Sequence, residues 1–586
     1  MYIKCVFRRM LTVMSAFTFL AVQGAETEND TVFSSNLPLV VIHTSEAINA
    51  ESKVMGTMRV IYGGPGKRNC LTDTIFDYDG LIGIKWRGNS SLSFEQKKYT
   101  IETRSADSSD LKVSLLGMPA ESDWVLLAPY NDISLMRDVF AFSLWNEMGH
   151  WGPHTRMCEV FVNDEYGGIY ILSEKIKRGH ERVDIAKLTS DDVSGRDVTG
   201  GYILRVDAFD DGDATFPSTV PGIQPAMWGS GSSGTVTWTV YYPSKEDLQP
   251  EQMSYISEYI RQVEESFQSP NYTDLATGYS QWIDVQSFVD YFIHTELSLN
   301  ADGFKRSSYF YKEKDPKGGG HARLVAGPVW DYNLAYGNCN FCNANNTEAW
   351  VYQGCYTNPT PAFWSKLVAD PSFMDAVRER YAELRRTLLS QDSIYRFIDR
   401  QASLLEEAQQ RHYKKYANLL SSNNSGNGGW GWGWGVWGGG NNNPVAAFAA
   451  YTVASYAEEI EVLKEWFAKR LAFLDRQWHY DATSLSTVRK NPLSVRAYFC
   501  RPDQLCVESD CPLTKIELYS LSGNRIVERR TPPALSPQSH GSTSSSGEVC
   551  CPKYVQYVPL PDSFHDSFIV QCKASSGEWT ISLFPM

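Results

Sequence analysis

Two aspartates, each close to an apolar stretch, are the residues of this sequence best suited to phosphate and metal chemistry. Asp331 lies in "GPVWDYNLAYGN", with Asn333 two positions further on, and Asp302 lies in "ELSLNADGFKRSSYFYK". The strand patterns that separate them, "SSYFYKEK" and "ARLVAGPVW", predict a hairpin whose two ends meet. We therefore expect Asp302 and Asp331 to flank one metal–phosphate site. A single aspartate is more often a turn or cap residue, so the prediction depends on the pair.

A basic hairpin earlier in the chain is suited to binding phosphate. The stretch "IKWRGNSSLSFEQKKYTIETR", 84–104, is typical of a strand, a tight turn and a returning strand. Backbone N–H groups and serine hydroxyls in such a turn can face an anion, and a lysine on the returning strand can reach it, although Gly-Asn-Ser is also an ordinary turn. The candidate residues are Arg87, Gly88, Asn89, Ser90, Ser91, and either Lys97 or Lys98.

Two further charged positions need a partner. Glu174 lies in the otherwise apolar strand pattern "GGIYILSEKI", and we expect it to pair with a lysine on a neighbouring strand. In "NDISLMRDV", Asp132 is placed to cap the helix that follows, and Arg137 is expected to face inward.

The elements that must position these residues indicate an α+β protein. Residues 37–240 are rich in strand patterns, with one helical pattern, "SLMRDVFAFSLWNEMG". Helical patterns follow at 249–300 and, after two short strands, at about 361–478, a region that includes "QASLLEEAQQRHYKKYANLL". We predict a catalytic-sized domain over 37–480 and a small β-sandwich-like domain over 490–586.

Composition limits the class of protein. The chain has 586 residues, a net charge of −14 and 42% hydrophobic residues, which is typical of a globular protein. The acidic balance argues against a nucleic-acid partner, and no apolar run in the body of the chain is long enough to span a membrane.

The N-terminal segment predicts export. Basic residues, an apolar stretch and small residues in succession are typical of a signal peptide cleaved after Gly24, so residues 1–24 are assigned to it. The mature protein is then expected in the periplasm, on the cell surface or secreted.

The eleven cysteines that remain after removal of residues 1–24 favour disulfides, with one cysteine left unpaired. The "CNFC" pattern, 339–342, is interpreted as a disulfide or free thiols rather than as zinc ligands.

Residues 421–443, "SSNNSGNGGWGWGWGVWGGGNNN", have too much Gly and Asn to form a core and are predicted to be a flexible loop. The alternative is that the tryptophans stack on sugars or on a protein partner.

Several motifs taken together resemble the CotH (spore-coat protein H) kinases, which are atypical exported protein kinases. The matching stretches are "RGNSS", "DWVLLAPYNDISLMRDVFAFSLWNEMG", "VFVNDEYGGIYILSEKIKRGHERVDI", "GGYILRVD", "DYFIHTELSLNADG" and "GPVWDYNLAYGN". The resemblance implies a reduced kinase-like fold with a helical C-terminal part, which binds ATP with Mg or Mn and phosphorylates Ser or Thr of a protein. The C-terminal "KIELYSLSGNRIVER" and "SGEWTISLFPM" look like a type IX secretion sorting domain of Bacteroidetes.

The resemblance also implies roles for individual residues. Asp302 corresponds to the catalytic aspartate that orients the acceptor hydroxyl, and Asp331 to the metal-binding aspartate, with Asn333 as the second metal position. The nucleotide lysine corresponds to Lys97, with Lys98 as the rival, and Glu174 joins the nucleotide-binding set.

The sequence departs from the family pattern in three places. Asn333 replaces an aspartate, Gln96 replaces a frequent lysine, and Ser307 and Ser308 occupy a stretch that often holds an asparagine. We expect each change to weaken metal or phosphate binding. Two alternatives to an active kinase therefore stay open: a catalytically impaired protein that binds a nucleotide or a partner, and a surface adhesin or glycan-binding protein.

Overall fold

The computed structural model describes residues 32–209, 212–224, 232–355, 358–420 and 451–481, together with seven strands between 495 and 583. The chain divides after Tyr480 into two compact units, which are described separately. The predicted signal peptide, 1–24, and the Trp-rich segment, 421–443, lie outside the described residues.

The N-terminal unit contains sixteen described strands and eight described helices. Its strands are β1 (Ser34–Ser35), β2 (Leu39–Thr44), β3 (Val54–Ile61), β4 (Asn69–Cys70), β5 (Phe76–Arg87), β6 (Lys98–Arg104), β7 (Asp123–Leu127), β8 (Thr155–Val162), β9 (Glu165–Glu174), β10 (Tyr202–Val206), β11 (Thr215–Pro217), β12 (Gly222–Gln224), β13 (Ser232–Gly234), β14 (Thr237–Tyr242), β15 (Ser308–Lys312) and β16 (Leu324–Ala326). Its helices are α1 (Arg137–Glu147), α2 (Pro250–Ser266), α3 (Val285–Ser298), α4 (Phe363–Ala369), α5 (Pro371–Arg386), α6 (Gln391–Leu405), α7 (Ala408–Lys415) and α8 (Tyr456–Gln477).

Seven strands close into a barrel in the order β2-β3-β5-β6-β7-β9-β8, and the parallel pairing of β2 with β8 completes the ring. Alternate positions of these strands carry branched and aromatic side chains, which fill a core with members such as Val40, Ile84, Ile101 and Leu172. Closure leaves no free edge among these strands. The sequence analysis predicted strands in this region but not their closure.

A second sheet, in the order β11-β14-β10-β15-β16, carries the two aspartates of the predicted site. Strands β15 and β16 pair antiparallel, with Phe310 opposite Ala326. The stretch before β15 and the stretch after β16 therefore leave the sheet at the same end, and these are the stretches that hold Asp302 and Asp331. This part of the prediction is confirmed.

Helices supply the rest of the main core. The amphipathic patterns of α2, α3, α5 and α8 pack their apolar faces into one cluster that also includes α1. The α+β class is thus confirmed. The helical pattern over 401–420 corresponds to the end of α6 and to α7, which are separated at Glu406 and Glu407. No helix among the described residues is long and apolar enough to cross a bilayer.

The second unit, 481–586, has seven described strands: β17 (Val495–Arg501), β18 (Gln504–Ser509), β19 (Leu513–Ser520), β20 (Arg525–Arg530), β21 (Tyr554–Pro559), β22 (Phe568–Ala574) and β23 (Gly577–Leu583). They form two antiparallel sheets, β17-β18-β21 and β20-β19-β22-β23.

Among the described cysteines of the N-terminal unit, Cys342 and Cys355 form a disulfide. Cys339, the other member of the "CNFC" pattern, is a buried free thiol. The two cysteines of that pattern therefore do not pair with each other. Within the described ranges, His, Cys, Asp and Glu nowhere come together in threes as a metal centre.

A buried ion cluster fixes the start of α1. Asp132 accepts a hydrogen bond from the Arg137 backbone N–H at 2.8 Å, and the Arg137 guanidinium pairs with both Asp132 and Glu459. All three side chains are almost completely buried. Asp132 is not the N-cap residue, which is Met136, although its carboxylate accepts the first backbone N–H of α1. The inward direction of Arg137 is confirmed, and Glu459 connects α8 to the same cluster.

Replacing Arg137 with Met should destabilise the N-terminal unit by about 3–5 kcal/mol, because two buried carboxylates lose their counter-charge. Arg378→Met, at a partly exposed position of α5 beside the exposed Asp375, is the matched control and should change stability by less than about 1 kcal/mol. Urea unfolding measures both. Equal midpoints for the two variants would contradict the assigned role.

Candidate functional site

A cleft of about 720 Å³ lies between the turn after β5, the end of β10, the loop before β15 and the segment after β16. Nine of the eleven site residues proposed from the sequence line this cleft; Lys97 and Glu174 do not. The nine are Arg87, Gly88, Asn89, Ser90, Ser91, Lys98, Asp302, Asp331 and Asn333.

The turn after β5 has a backbone that only glycine allows. Gly88 has a φ of +116°, and a Cβ at this position would collide with the Ser91 hydroxyl oxygen. The chain then forms a short 3₁₀ turn over Ser90–Ser93. The Arg87 guanidinium stacks over the Trp330 ring at 5.2 Å, so the turn is connected to the residue that precedes Asp331.

Of the two candidate lysines, Lys98 is the one in the cleft. The Lys97 ammonium donates to the carbonyls of Leu92 and Phe94, at 2.7 and 2.6 Å, and so closes the turn from behind. The Lys98 Nζ lies 3.6 Å from an Asp331 carboxylate oxygen. The first choice of Lys97 from the resemblance is therefore not supported, because adjacent residues of a strand point to opposite faces.

Asp331 occupies a strained position at the cleft surface. Its φ of +62° is unusual for a residue with a side chain, because this left-handed backbone conformation is strained. Its carboxylate remains about one-third exposed. The Asn300 side-chain amide donates to the Asp331 carbonyl at 3.3 Å, which joins the Asp331 turn to the Asp302 loop.

Asp302 lies in a tight loop after α3. Its backbone N–H donates to the Asn300 side chain at 3.1 Å, so Asn300 holds both aspartate segments. Burial raises the pKa of the Asp302 carboxyl, the positive charges of Lys305 and Arg306 lower it, and the Asp331 charge raises it. Asp302 is thus electrostatically coupled to Asp331 across the cleft.

Glu174 is not part of this cleft, and the expected lysine partner is wrong. Its carboxylate is fully buried and accepts hydrogen bonds from the His154 backbone N–H, at 3.0 Å, and the His154 ring, at 2.9 Å. The Arg182 Nε lies 3.4 Å away. In the antiparallel pairing of β7 with β9, Glu174 stands opposite Trp124, so no lysine of β6 is its direct neighbour.

The three departures from the family pattern have different surroundings. Gln96 is buried and donates to the Gly167 and Ile169 carbonyls, at 3.1 and 2.8 Å, so its effect on phosphate expected from the sequence is not supported. Ser307 lines the cleft, with a φ of +46°. Ser308 donates to the Arg306 carbonyl at 3.0 Å.

Asn333 lies in the cleft, and its amide has a fixed partner. Its Nδ2 donates to the Asn131 side-chain oxygen at 2.9 Å. The Asn338 side chain donates to the Asn131 and Asn333 carbonyls, at 2.6 and 2.7 Å. Because the side-chain nitrogen of Asn333 is engaged, its side-chain oxygen, Oδ1, is the atom able to bind a cation.

Asp138 is a buried carboxylate of the site that the sequence analysis missed. It accepts a hydrogen bond from the Tyr332 backbone N–H at 2.6 Å, directly after Asp331. Burial and the Asp331 charge raise its pKa to about 7, while Lys98 and the Tyr332 bond lower it. An acidic residue in the first turn of a helix is common, so the sequence contains no signal that marks it.

Five more charged residues of the cleft were also missed. They come from β5, the ends of β9 and β10, and the loop before β15, and they are Lys85, Lys175, Arg205, Asp207 and Arg306. Arg205 lies in the strand pattern "GGYILRVD". One charged residue in such a pattern is typical of an ordinary polar strand position, so it did not indicate a functional site.

The cleft is basic in an acidic chain. Six of its residues carry positive charge and three carry negative charge, a difference of 6 − 3 = 3, whereas the whole chain has a net charge of −14. These nine are Lys85, Arg87, Lys98, Lys175, Arg205, Arg306, Asp207, Asp302 and Asp331. Basic charge concentrated in a cleft raises the local concentration of anions, so the site suits a phosphate-bearing ligand.

The donor set also fits a divalent metal bound together with such a ligand. The Asp331 carboxylate and the side-chain oxygen of Asn333 are hard oxygen donors on one wall of the cleft. Magnesium is commonly bound by one or two carboxylates with substrate phosphates completing its coordination, so a protein cluster of three ligands is not required.

Lys98 pairs with Asp331, and Asp302 faces the same cleft. The family model described as CotH kinase protein matches residues 84–474, well over half of the chain, and the chain belongs to this family. A comparison with curated proteins found no match.

Asp138→Asn should stabilise the protein at neutral pH but not at acidic pH. The folded state keeps this carboxyl protonated up to a pKa of about 7, above its ordinary value of 3.8, so stability falls as pH rises between these values. Asparagine imitates the protonated form and retains an acceptor for Tyr332. Thermal unfolding should show a gain of up to about 4 kcal/mol above pH 7 that vanishes near pH 4.

Asp164→Asn is the control for this comparison, because the Asp164 side chain is almost fully exposed. Its difference from the wild type should stay small across the same range. A pH-independent effect of Asp138→Asn would contradict the assigned ionisation.

Proposed function

We propose that this chain is an exported protein kinase of the CotH family, which transfers the γ-phosphate of ATP to Ser or Thr of a protein with the help of Mg or Mn. The observation that carries the proposal is the arrangement of Lys98, Asp331 and Asp302 around one basic cleft. Phosphoryl transfer needs positioning and charge neutralisation more than covalent catalysis, and this cleft has groups for both.

In the proposed reaction the nucleotide phosphates lie along the turn of Arg87–Ser91 and against Lys98. This range and Lys98 supply backbone N–H groups, hydroxyls and positive charge from one hairpin. When ATP enters, the Lys98 ammonium can exchange part of its attraction to Asp331 for the phosphates. Asp331 and Asn333 would hold the metal ion, which neutralises phosphate charge when bound.

Asp302 acts on the acceptor. The hydroxyl oxygen of the substrate Ser or Thr forms a bond to the γ-phosphorus while the bond from that phosphorus to the β–γ bridging oxygen breaks, and ADP leaves with the electron pair. The hydroxyl proton passes to the Asp302 carboxylate. Its raised pKa improves it as a base, because a group with a higher pKa holds the transferred proton better.

Two features of the chain support export. The N-terminal segment has the pattern of a signal peptide, and the Cys342–Cys355 disulfide is of a kind that persists outside the reducing cytoplasm. Both agree with a kinase that meets its protein substrate outside the cytoplasm.

A catalytically impaired nucleotide-binding protein is the second candidate. The observation in its favour is the neutral Asn333 amide on the metal-binding wall, where a second carboxylate would bind a cation more strongly. Glycan or partner binding by residues 421–443 and a sorting role for the C-terminal unit stay predictions from the sequence.

Asp331→Ala should weaken metal-dependent ATP binding by at least about tenfold, because a carboxylate that holds the metal on the phosphates is lost. The fold should persist, since the Asp331 side chain is partly exposed. Calorimetric titration with ATP and Mn measures the change, with Asp164→Ala as the control. Equal affinity of Asp331→Ala and wild type would remove Asp331 from the site.

Asp302→Asn should keep nucleotide affinity within about threefold and lower phosphoryl transfer by about 100-fold or more. The reason is that its carboxylate acts on the acceptor hydroxyl rather than on the nucleotide. Transfer of labelled phosphate from ATP to the protein itself or to added casein is the assay. A wild-type rate for Asp302→Asn would refute the role, and nucleotide binding without transfer by the wild type would favour the impaired candidate.

A further inference from the structure

The positively charged residues of the cleft differ in whether they have a carboxylate partner. Three of its cations have an acidic partner: Lys98 pairs with Asp331 at 3.6 Å, Lys175 with Asp123 at 3.4 Å, and Arg205 with Asp213 at 2.9 Å. These pairs offset part of the basic charge before any ligand arrives.

Arg306 differs from these three. Its Nε donates to the neutral side-chain oxygen of Asn358 at 2.7 Å, and within the described part of the chain no carboxylate lies at ion-pair distance from its guanidinium. A guanidinium anchored through Nε keeps its two terminal nitrogens available as a planar fork, the geometry that binds phosphate oxygens in pairs.

Arg306 also lies beside the catalytic position. Its backbone N–H donates to the Asp302 carbonyl at 2.8 Å, so the two residues share one turn, and both line the cleft. Burial raises the pKa of the Asp302 carboxyl, and the positive charges of Lys305 and Arg306 lower it. Because Asp302 and Arg306 share one turn, the Arg306 charge lies beside the carboxylate that the proposed function assigns to the acceptor hydroxyl.

The wall of the cleft that carries Asp331 and Asn333 has few carboxylates that could bind metal ions. Asp331 is its carboxylate, and Asn333 contributes a neutral oxygen. A second divalent ion would need further carboxylate ligands, and Asp207 is partly neutralised by Arg205 at 3.7 Å. Charge on the phosphates must then be balanced from the protein side.

On the basis of the proposed kinase function, we infer that Arg306 binds the terminal phosphate of the nucleotide beside Asp302 and takes the place of a second metal ion. The site then works with a single divalent cation held by Asp331 and Asn333. ATP consequently keeps measurable affinity in the absence of metal, through Arg306 together with the hairpin residues.

Metal-free binding distinguishes this role from a structural one. A fluorescent ATP analogue and the matching AMP analogue are titrated into the full chain in EDTA. Arg306→Gln should weaken the ATP analogue by about tenfold and leave the AMP analogue unchanged, because AMP lacks the terminal phosphate. Arg323→Gln, which removes the same charge from an exposed position on the β15–β16 hairpin, should change neither affinity.

Asn358→Asp provides a second variant that keeps the arginine. A carboxylate beside Nε neutralises the guanidinium, so the ATP analogue should again bind more weakly and the AMP analogue equally well. Equal ATP affinities for Arg306→Gln and Arg323→Gln, or equal losses for both nucleotides, would overturn the inference.

The number of metal ions gives an independent result. Manganese titrated into the protein with a non-hydrolysable ATP analogue should bind as one ion per complex, and two ions would overturn the inference. Failure of wild-type protein to bind ATP with or without Mn would instead refute the proposed function itself.

Discussion

The segment that carries Asp331 is held in place by the stretch 131–138, and the cleft depends on this attachment. Asp138 accepts the Tyr332 N–H, the Arg137 guanidinium donates to the Ala335 carbonyl at 3.1 Å, and Asn131 receives the Asn333 amide. The left-handed backbone at Asp331 is an unfavourable conformation that must be stabilised by its surroundings. Because Arg137 is itself fixed by buried carboxylates, the cluster at the start of α1 connects overall stability to the geometry of the site.

The second constraint is charge. A chain with a net charge of −14 repels anions in general, and yet its cleft collects six basic side chains around three aspartates. Each aspartate lies near a different cation or pair of cations: Asp331 pairs with Lys98, Asp207 pairs with Arg205, and the charges of Lys305 and Arg306 act on Asp302. Local field rather than total charge decides which ligands the cleft accepts.

The sequence predicted local features well and long-range ones poorly. The hairpin around Gly88 and the meeting of Asp302 with Asp331 follow from strand and turn patterns, which are properties of short stretches. Closure of the barrel could not be predicted, because it rests on the parallel pairing of β2 with β8, more than 100 positions apart in sequence.

Individual side chains were less predictable for the same reason. Lys97 and Lys98 are adjacent, and a shift of one residue exchanges the two faces of a strand, so only the register of β5 with β6 separates them. Glu174 was assigned to a lysine that its strand does not face, because the order of strands in the barrel was unknown. No sequence pattern marks Asp138, because its role comes from a hydrogen bond with Tyr332, which is distant in the sequence.

The proposed function requires that ATP and its metal bind in this cleft. Hydrogen exchange measured by mass spectrometry with and without ATP and Mn tests it directly. The account predicts slower exchange in peptides that cover 87–100 and 298–338, and unchanged exchange in α5 and α6. Protection confined to α5 and α6, or no protection in either part of the cleft, would contradict it.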